Sequence, residues 1–214
     1  MTERSFSVAR GRVVAALVAA GLLLSACQGG GPTPGTSPSA SNTSASPSAT
    51  PTPTPTPSAK YVPASAKGKA QNVPVPVKPA LADQNSKAGL EAFTKYWFAL
   101  LDYGYQTGDT ATWLSLASAN CVFCSTLKEG IESDYKNGGW MVGGRIQTPS
   151  VEVVTTSAER VQKVTVQVVQ SAAATYKSDG SKGARQGGAG NHGAVILAVH
   201  EGGAWSVSDM HPLK

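Results

Sequence analysis

The sequence predicts an α+β domain that follows a long N-terminal region of different composition. Between residues 86 and 135, apolar side chains recur every three or four positions, which is the spacing of one helix face. From Trp140 onward the period changes to two, which indicates strands. Helices that all precede the strands are typical of an α+β fold with an antiparallel sheet. We therefore expect the folded domain to comprise residues 80–214, with helices packed on one curved sheet.

The chain begins with the pattern of an export signal. Three arginines, at positions 4, 10 and 12, precede an apolar stretch of 12 residues over positions 13–24. A spanning helix needs about 20 apolar residues, so this short stretch favours a cleaved signal peptide.

Residues 24–27, Leu-Ser-Ala-Cys, resemble the lipobox of bacterial lipoproteins. The resemblance implies that residues 1–26 are removed and that Cys27 becomes the first residue, carrying acyl chains such as palmitate. Each buried CH₂ adds about 0.8 kcal/mol, so these chains would hold the protein at the extracellular face of the cell membrane. An ordinary secreted protein with an incidental cysteine is the alternative.

Residues 27–79 are expected to tether the lipidated Cys27 to the domain. Positions 29–57 contain only Gly, Pro, Ser, Thr, Ala and one Asn. Without large apolar side chains to bury, such a segment cannot offset its ordering entropy, so we predict that it is disordered. Positions 60–79 carry four lysines and a Val-Pro alternation that favours extended backbone. They are expected to lie along the domain as an arm.

Charge excludes one class of partner. The chain has a net charge of +5, and removing residues 1–26, with three Arg and one Glu, leaves +3. No basic cluster resembles a nucleic-acid footprint, and export argues against such a partner. We expect no nucleic acid, no cofactor and no metal, and an unidentified ligand or partner at the cell envelope.

The first predicted helix carries most of the aromatic residues of the helical region. Ser86 caps it, and it runs to about Tyr103 and stops at Gly104. Its apolar face holds residues at helical spacing, namely Leu90, Phe93, Trp97, Leu100 and Leu101.

Two further helices are predicted before the strands. Asp109 caps a short one that ends near Asn120. Thr126 and Glu129 have the spacing of a capping box, which would begin the third helix and carry it to about Tyr135.

Five strand segments are predicted after the helices, and they cover residues 140–148, 151–156, 161–174, 194–200 and 204–209. Gly143 and Gly144 predict a bulge in the first segment, and Gly202-Gly203 predicts a hairpin turn between the last two. Residues 157–160 are expected as a tight turn. A mobile glycine-rich loop is predicted over residues 177–191, with three cationic side chains, Lys177, Lys182 and Arg185.

The element order, together with an aromatic helix leading into Thr107-Gly108-Asp109, resembles the NTF2-like fold. In that fold three N-terminal helices pack on a curved antiparallel sheet to form a cone. The resemblance implies a pocket between helices and sheet, with Tyr96, Tyr103 and Trp140 as lining residues, and a homodimer through the outer face of the sheet. More narrowly, the lipobox, the tether and a closely spaced cysteine pair are similar to an uncharacterised actinobacterial lipoprotein family, domain of unknown function 6318.

Cys121 and Cys124 leave three interpretations open. A structural disulfide outside the cell would join the end of the second helix to the start of the third. A thiol–disulfide catalyst would place the pair at a helix N-terminus, which lowers the thiol pKa, but here the pair precedes the predicted cap. A zinc site would need two more ligands, and no second CxxC or paired histidine supplies them.

No motif joins the remaining polar residues into a catalytic set. Carboxylates in the predicted helices, Asp102 and Asp134, and the histidines His192, His200 and His211 stay unassigned. The main hypothesis is therefore a lipid-anchored binding module and not an enzyme. The alternatives are a small-molecule enzyme with a buried, pKa-shifted carboxylate in the pocket, and an envelope thiol–disulfide protein with an exposed Cys121.

Overall fold

The computed structural model describes residues 59–154 and 159–213. The predicted signal peptide, Cys27 and the tether up to residue 58 lie outside these residues, as do residues 157 and 158 of the predicted turn.

The first helix, α1, spans Lys87–Thr107 and begins as the sequence predicts. The Ser86 hydroxyl accepts a hydrogen bond from the Gly89 backbone N–H at 3.0 Å, which satisfies one of the free donors of the first turn. The predicted stop at Gly104 is wrong. The helix continues for one more turn and ends at Gly108, which takes the left-handed conformation with φ 80°.

The second and third helices, α2 and α3, span Ala111–Ser115 and Val122–Tyr135. The N-cap of α2 is Thr110 and not the predicted Asp109, although the Asp109 carboxylate accepts a hydrogen bond from Ala111 N at 3.0 Å. The predicted end near Asn120 is also wrong, since α2 ends at Ser115. The capping box does not begin α3. Cys121 is the N-cap instead, and its sulfur accepts a hydrogen bond from Cys124 N at 3.3 Å, so α3 begins four residues before the predicted Thr126.

Seven strands follow in the described residues, and they are β1 Trp140–Gly143, β2 Ile146–Val153, β3 Val161–Gln170, β4 Ala173–Tyr176, β5 Lys182–Gly187, β6 Gly190–Glu201 and β7 Ala204–Pro212. They form two antiparallel sheets, one in the order β1-β4-β5 and the other in the order β2-β3-β6-β7. Gly202 and Gly203 turn β6 into β7 with φ values of 60° and 83°, which confirms the predicted hairpin.

The fold is α+β, but the expected NTF2-like cone is wrong, because the strands divide between two sheets. Gly143 and Gly144 both have positive φ, 75° and 69°, and there the first predicted strand breaks into β1 and β2. The facing predicted strand, 161–174, breaks opposite them into β3 and β4. A Cβ on Gly143 would lie 2.0 Å from the carbonyl oxygen of Ala172, so only glycine permits this approach.

The predicted mobile loop at 177–191 is also wrong. It contains the edge strand β5 and the start of β6. Thr175 on β4 holds β5 through its hydroxyl, which bonds both the N–H and the C=O of Arg185 at 3.2 Å.

Residues 59–79 are an arm that lies against the domain. Val62 and Gln71 exchange backbone hydrogen bonds at 3.0 and 2.9 Å. The Trp140 indole donates to the Ser65 carbonyl at 2.8 Å, which fixes the arm over β1. Residues before position 80 therefore pack against the domain.

The core lies between the helices and the four-stranded sheet. Its largest buried side chains come from α1 and α2, where Trp97 packs against Phe98 and Trp113 with ring centroids 5.2 and 5.1 Å apart. Val164 and Ile196 meet them from β3 and β6. Among the described residues, no helix is both long enough and apolar enough to span a membrane.

Candidate functional site

A cavity of about 500 Å³ lies between the helices and the inner face of the four-stranded sheet. Helix α1 contributes Phe98, Leu101 and Tyr105, and α3 contributes Phe123 and Leu127. Residues three or four positions apart share one helix face, so each helix directs a single stripe into the cavity. Strands and the C-terminal segment complete the lining, chiefly through Ile146, Val168, Gln170, His192, Ala194 and Met210.

The polar groups of this cavity collect at one end. Burial raises the pKa of the Tyr105 phenol, and the positive charge of Arg185 and a side-chain hydrogen bond with Gln170 partly oppose that shift. Gln170 ends β3 opposite Gly190, and a Cβ on Gly190 would lie 2.2 Å from His192 Nε2. The three side chains Tyr105, Gln170 and His192 thus form a polar end to an otherwise apolar chamber.

Next to this end, Asp134 on α3 meets Arg185 on β5. Arg185 Nε lies 3.2 Å from Asp134 Oδ2, but the two are not aligned as a hydrogen bond, and Oδ2 has no hydrogen-bond partner among the described residues. Burial raises the pKa of the Asp134 carboxyl, and the Arg185 charge offsets part of that rise. The pair is therefore only half satisfied.

Tyr135, the residue after Asp134 on α3, lies beside this pair. Its hydroxyl donates to the Tyr105 carbonyl oxygen at 2.7 Å. Burial raises the pKa of Tyr135 to about 12, so the phenol keeps its proton and remains a donor. It ties the C-terminal ends of α1 and α3 together beside the polar end of the cavity.

A second Asp–Arg pair joins Asp102 on α1 to Arg145, which immediately precedes β2. Three guanidinium contacts of 2.9 to 3.1 Å reach the carboxylate. Ile146 N and Gln106 Nε2 also donate to it, at 2.8 and 3.0 Å. Every lone pair of this carboxylate is engaged, so its role is structural.

The expected lining residues do not form one pocket wall. Tyr103 borders a shallow groove of about 410 Å³ between α1 and the arm, next to the Asp102–Arg145 pair. Trp140 lies beneath the arm and stacks on Tyr176, with centroids 5.7 Å apart. Tyr96 packs, partly buried, against the core.

Cys121 and Cys124 form a disulfide with an S–S distance of 2.03 Å. The pair stands at the N-terminus of α3, the position that redox pairs use, and not before it as the sequence suggested. Both residues are nevertheless buried, at 0% and 1% exposure. A thiol–disulfide exchange partner needs access to one sulfur, so this geometry fits the structural disulfide.

The other histidines lie apart from the cavity. His200 Nε2 is 2.9 Å from the Asp83 carbonyl oxygen, and its ring packs on Trp205. His211 faces Asp209 at 3.9 Å on the last strand. Within residues 59–154 and 159–213, no three His, Cys, Asp or Glu side chains lie close enough to hold a metal ion.

A family model described as "Family of unknown function (DUF6318)" matches residues 59–211. The chain belongs to this family. The match starts at the first residue of the arm, so the arm is part of the DUF6318 domain.

Other comparisons add little to the family match. No curated protein sequence matches the chain. The intermembrane space region of the chloroplast protein ARC6 is similar at 8% identity and a TM-score of 0.42, covering 60% of this chain and 96% of that one. A putative calcium/calmodulin dependent protein kinase II association domain from Xanthomonas campestris is similar at 12% identity and a TM-score of 0.33, covering 65% and 95%. With TM-scores this low, neither likeness transfers an activity or a partner.

Sequence reasoning missed Arg185, which it placed in a mobile loop. One signal of its position was available. Gly130 stands in the interior of α3, where glycine costs about 1 kcal/mol relative to alanine. A Cβ there would lie 2.8 Å from an Arg185 guanidinium nitrogen, so this member of DUF6318 keeps glycine where the arginine crosses the helix.

Proposed function

We propose that this protein is a lipid-anchored, extracytoplasmic binding module that holds a small apolar ligand in the cavity between α1, α3 and the four-stranded sheet. The observation that carries the proposal is the cavity itself. It is mostly apolar, it has a volume of about 500 Å³, and a few polar groups converge at one end. Pockets of 300–1,000 Å³ with that division of lining are typical of small-molecule sites.

Binding without turnover accounts for the polar groups better than catalysis does. The enzyme alternative expects a pKa-shifted carboxylate in the pocket, and the pKa of Asp134 is indeed raised. Asp134 does not line the cavity, however, and Arg185 stands against its carboxylate. Tyr105, Gln170 and His192 can position a ligand through hydrogen bonds, and no nucleophile lies beside a base among them.

Location rests on the N-terminal sequence and agrees with the disulfide. Residues 24–27 resemble a lipobox, and the Pro-rich stretch after them suits a spacer between membrane and domain. Disulfides persist mainly outside the reducing cytosol, and the Cys121–Cys124 bond fits such a compartment.

The cavity is tested with Nile red, a neutral dye whose fluorescence rises in apolar surroundings. The full chain carries Cys27→Ala, so that no acyl chain of its own competes. We expect Val168→Trp to weaken dye binding at least about tenfold, or 1.4 kcal/mol, because the indole fills the chamber. Val169→Trp is the matched control, since Val169 is the neighbouring half-buried residue on the opposite face of β3. Equal affinity in both variants, or no dye binding at all, rejects the cavity as a ligand site.

The anchor is tested by membrane fractionation of the native organism. The wild-type protein should sediment with membranes, whereas Cys27→Ala should appear in the soluble fraction or the medium. Ser25→Thr is a control that leaves the cysteine in place. A Cys27→Ala protein that has lost residues 1–26 and still sediments with membranes rules out lipidation as the anchor.

A further inference from the structure

We infer that the cavity selects an amphiphile with an acidic head group, such as a medium-chain carboxylic acid, and that Arg185 binds the carboxylate. This inference rests on the proposed ligand site and names its ligand class. Arg185 does not itself line the cavity. The inference is carried by its position over the face of α3 that continues from the cavity lining, and by the unused hydrogen-bonding capacity of its guanidinium group.

One face of α3 connects the cavity to Arg185. Phe123 and Leu127 line the cavity on this face. Gly130, three residues further, is covered by the Arg185 guanidinium, whose nitrogens and central carbon would lie 2.8 to 3.5 Å from a Cβ there. At a rise of about 1.5 Å per residue, the guanidinium sits about 4.5 Å along the helix beyond Leu127. It therefore lies just beyond the cavity lining, close enough to Tyr105 for its charge to oppose the rise that burial causes in the pKa of that phenol.

The guanidinium of Arg185 has capacity to spare. Its one ion-pair contact is from Nε to Asp134, and neither terminal nitrogen makes a hydrogen bond among the described residues. The side chain is 46% exposed, so a ligand can reach it. An arginine fork is the protein group best matched to a carboxylate, because it donates two parallel hydrogen bonds.

The same geometry argues against a cationic head group. Asp134 is the carboxylate that contacts Arg185, but its side chain is only 10% exposed and its Oδ2 is buried, out of reach of a ligand. The Tyr105 phenol lines the cavity and can donate to a carboxylate, whereas the Gln170 amide already donates to the Gly144 carbonyl oxygen at 3.2 Å. The accessible charge at this end is therefore positive.

The experiment compares decanoic acid with 1-decanol, which share an apolar body and differ in the head group. Each ligand displaces Nile red from the full-length Cys27→Ala protein. We expect the acid to bind more tightly than the alcohol, and Arg185→Gln to weaken acid binding at least about tenfold, as loss of a charge-assisted hydrogen bond predicts, with alcohol binding unchanged. Lys182→Gln, on the same strand and with the same loss of charge, should change neither.

Arg185→Lys is a second variant, which keeps the charge but not the planar fork. It should bind the acid with an affinity between those of the wild type and Arg185→Gln. If Arg185→Gln does not fold, the inference is tested by whether Arg185→Lys binds the acid more weakly than the wild type does. Equal affinities for acid and alcohol, or equal loss of acid binding in the Lys182 variant, overturn the acidic-ligand inference while the cavity remains a ligand site. If neither ligand displaces the dye because the dye itself does not bind, the proposed function fails with it.

Discussion

The molecule contains two Asp–Arg pairs of nearly equal burial. In one pair the carboxylate has all its hydrogen bonds, and in the other it does not. Both aspartates lie on helices, and their side chains are 12% and 10% exposed. Arg145 precedes β2 and Arg185 lies on β5, and their side chains are 49% and 46% exposed. Asp102 accepts hydrogen bonds from Arg145, from Ile146 N and from Gln106. Asp134 has one unaligned contact with Arg185 and an oxygen without a partner.

We interpret this difference as one between a structural pair and the pair that we propose to serve ligand binding. A carboxylate whose acceptor sites are all filled holds α1 to β2 and has nothing left to offer a ligand. A half-satisfied pair costs free energy, because a buried polar group without a partner loses about 1–3 kcal/mol of solvation. Residues beside an apolar cavity that stay incompletely hydrogen-bonded despite this free-energy cost are candidates for ligand recognition.

The largest expected effect comes from breaking the complete pair. Asp102→Asn should lower the free energy of unfolding by about 2–3 kcal/mol, because Arg145 and the Ile146 N–H lose their charged acceptor in a partly buried site. Urea unfolding measures it. Asp134→Asn is the matched control and should change stability by less than about 1 kcal/mol. Equal losses of unfolding free energy in the two variants would contradict the distinction between the two pairs.

A smaller effect on stability is expected at Tyr61, where the arm contacts the Asp102–Arg145 pair. Tyr61 donates to Gln106 Oε1 at 2.8 Å and accepts from Arg145 at 3.4 Å. Tyr61→Phe should cost about 1 kcal/mol in urea unfolding, the usual value of one hydrogen bond. Tyr103→Phe, in the same groove, is the control and should be neutral. If Tyr61→Phe leaves the free energy of unfolding unchanged, the arm does not stabilise the Asp102–Arg145 pair.

The Asp134–Arg185 pair is tested at Gly130. Gly130→Ala should be neutral or stabilise the domain by up to about 1 kcal/mol, because alanine favours the helix and the end of the Arg185 side chain can move away. Ser133→Ala, on the exposed face of α3, measures the helix-propensity gain alone. The Gly130 variant should also bind decanoic acid more weakly. A loss of stability greater than about 1 kcal/mol would show that the guanidinium is held rigidly against the helix, contrary to this prediction.

The smallest effect is a pH dependence confined to Asp134. Its folded-state pKa is raised above the ordinary 3.8 by burial, against the opposing charge of Arg185, with the phenols of Tyr105 and Tyr135 nearby. The folded state therefore binds the proton more tightly than the unfolded state, so stability falls as pH rises from 3.8 through the raised value. Asn cannot titrate, so the stability of Asp134→Asn relative to wild type should increase across that interval. A constant difference would contradict the raised pKa.

Local signals predicted the helical half well. Ser86 begins α1 and Gly202-Gly203 turns β6 into β7, because a cap and a tight turn depend on a few neighbouring residues. The errors at Gly104 and Thr126 have the same origin. Either residue can end or begin a helix in isolation, and packing decided between Gly104 and Gly108 and between Thr126 and Cys121.

The amino-acid sequence by itself determined the α+β order and the buried face of α1 that includes Trp97, because periodicity is a local property. It placed Cys121 and Cys124 three positions apart, but only the tertiary structure, which buries both sulfurs, favoured a structural disulfide. Only the tertiary structure decided that the strands part into two sheets at Gly143-Gly144, since that break depends on the carbonyl of Ala172 across the ladder. It also brought Arg185 onto Gly130, 55 positions earlier in the chain. No local pattern encodes such a contact, because it forms only when β5 folds back over α3.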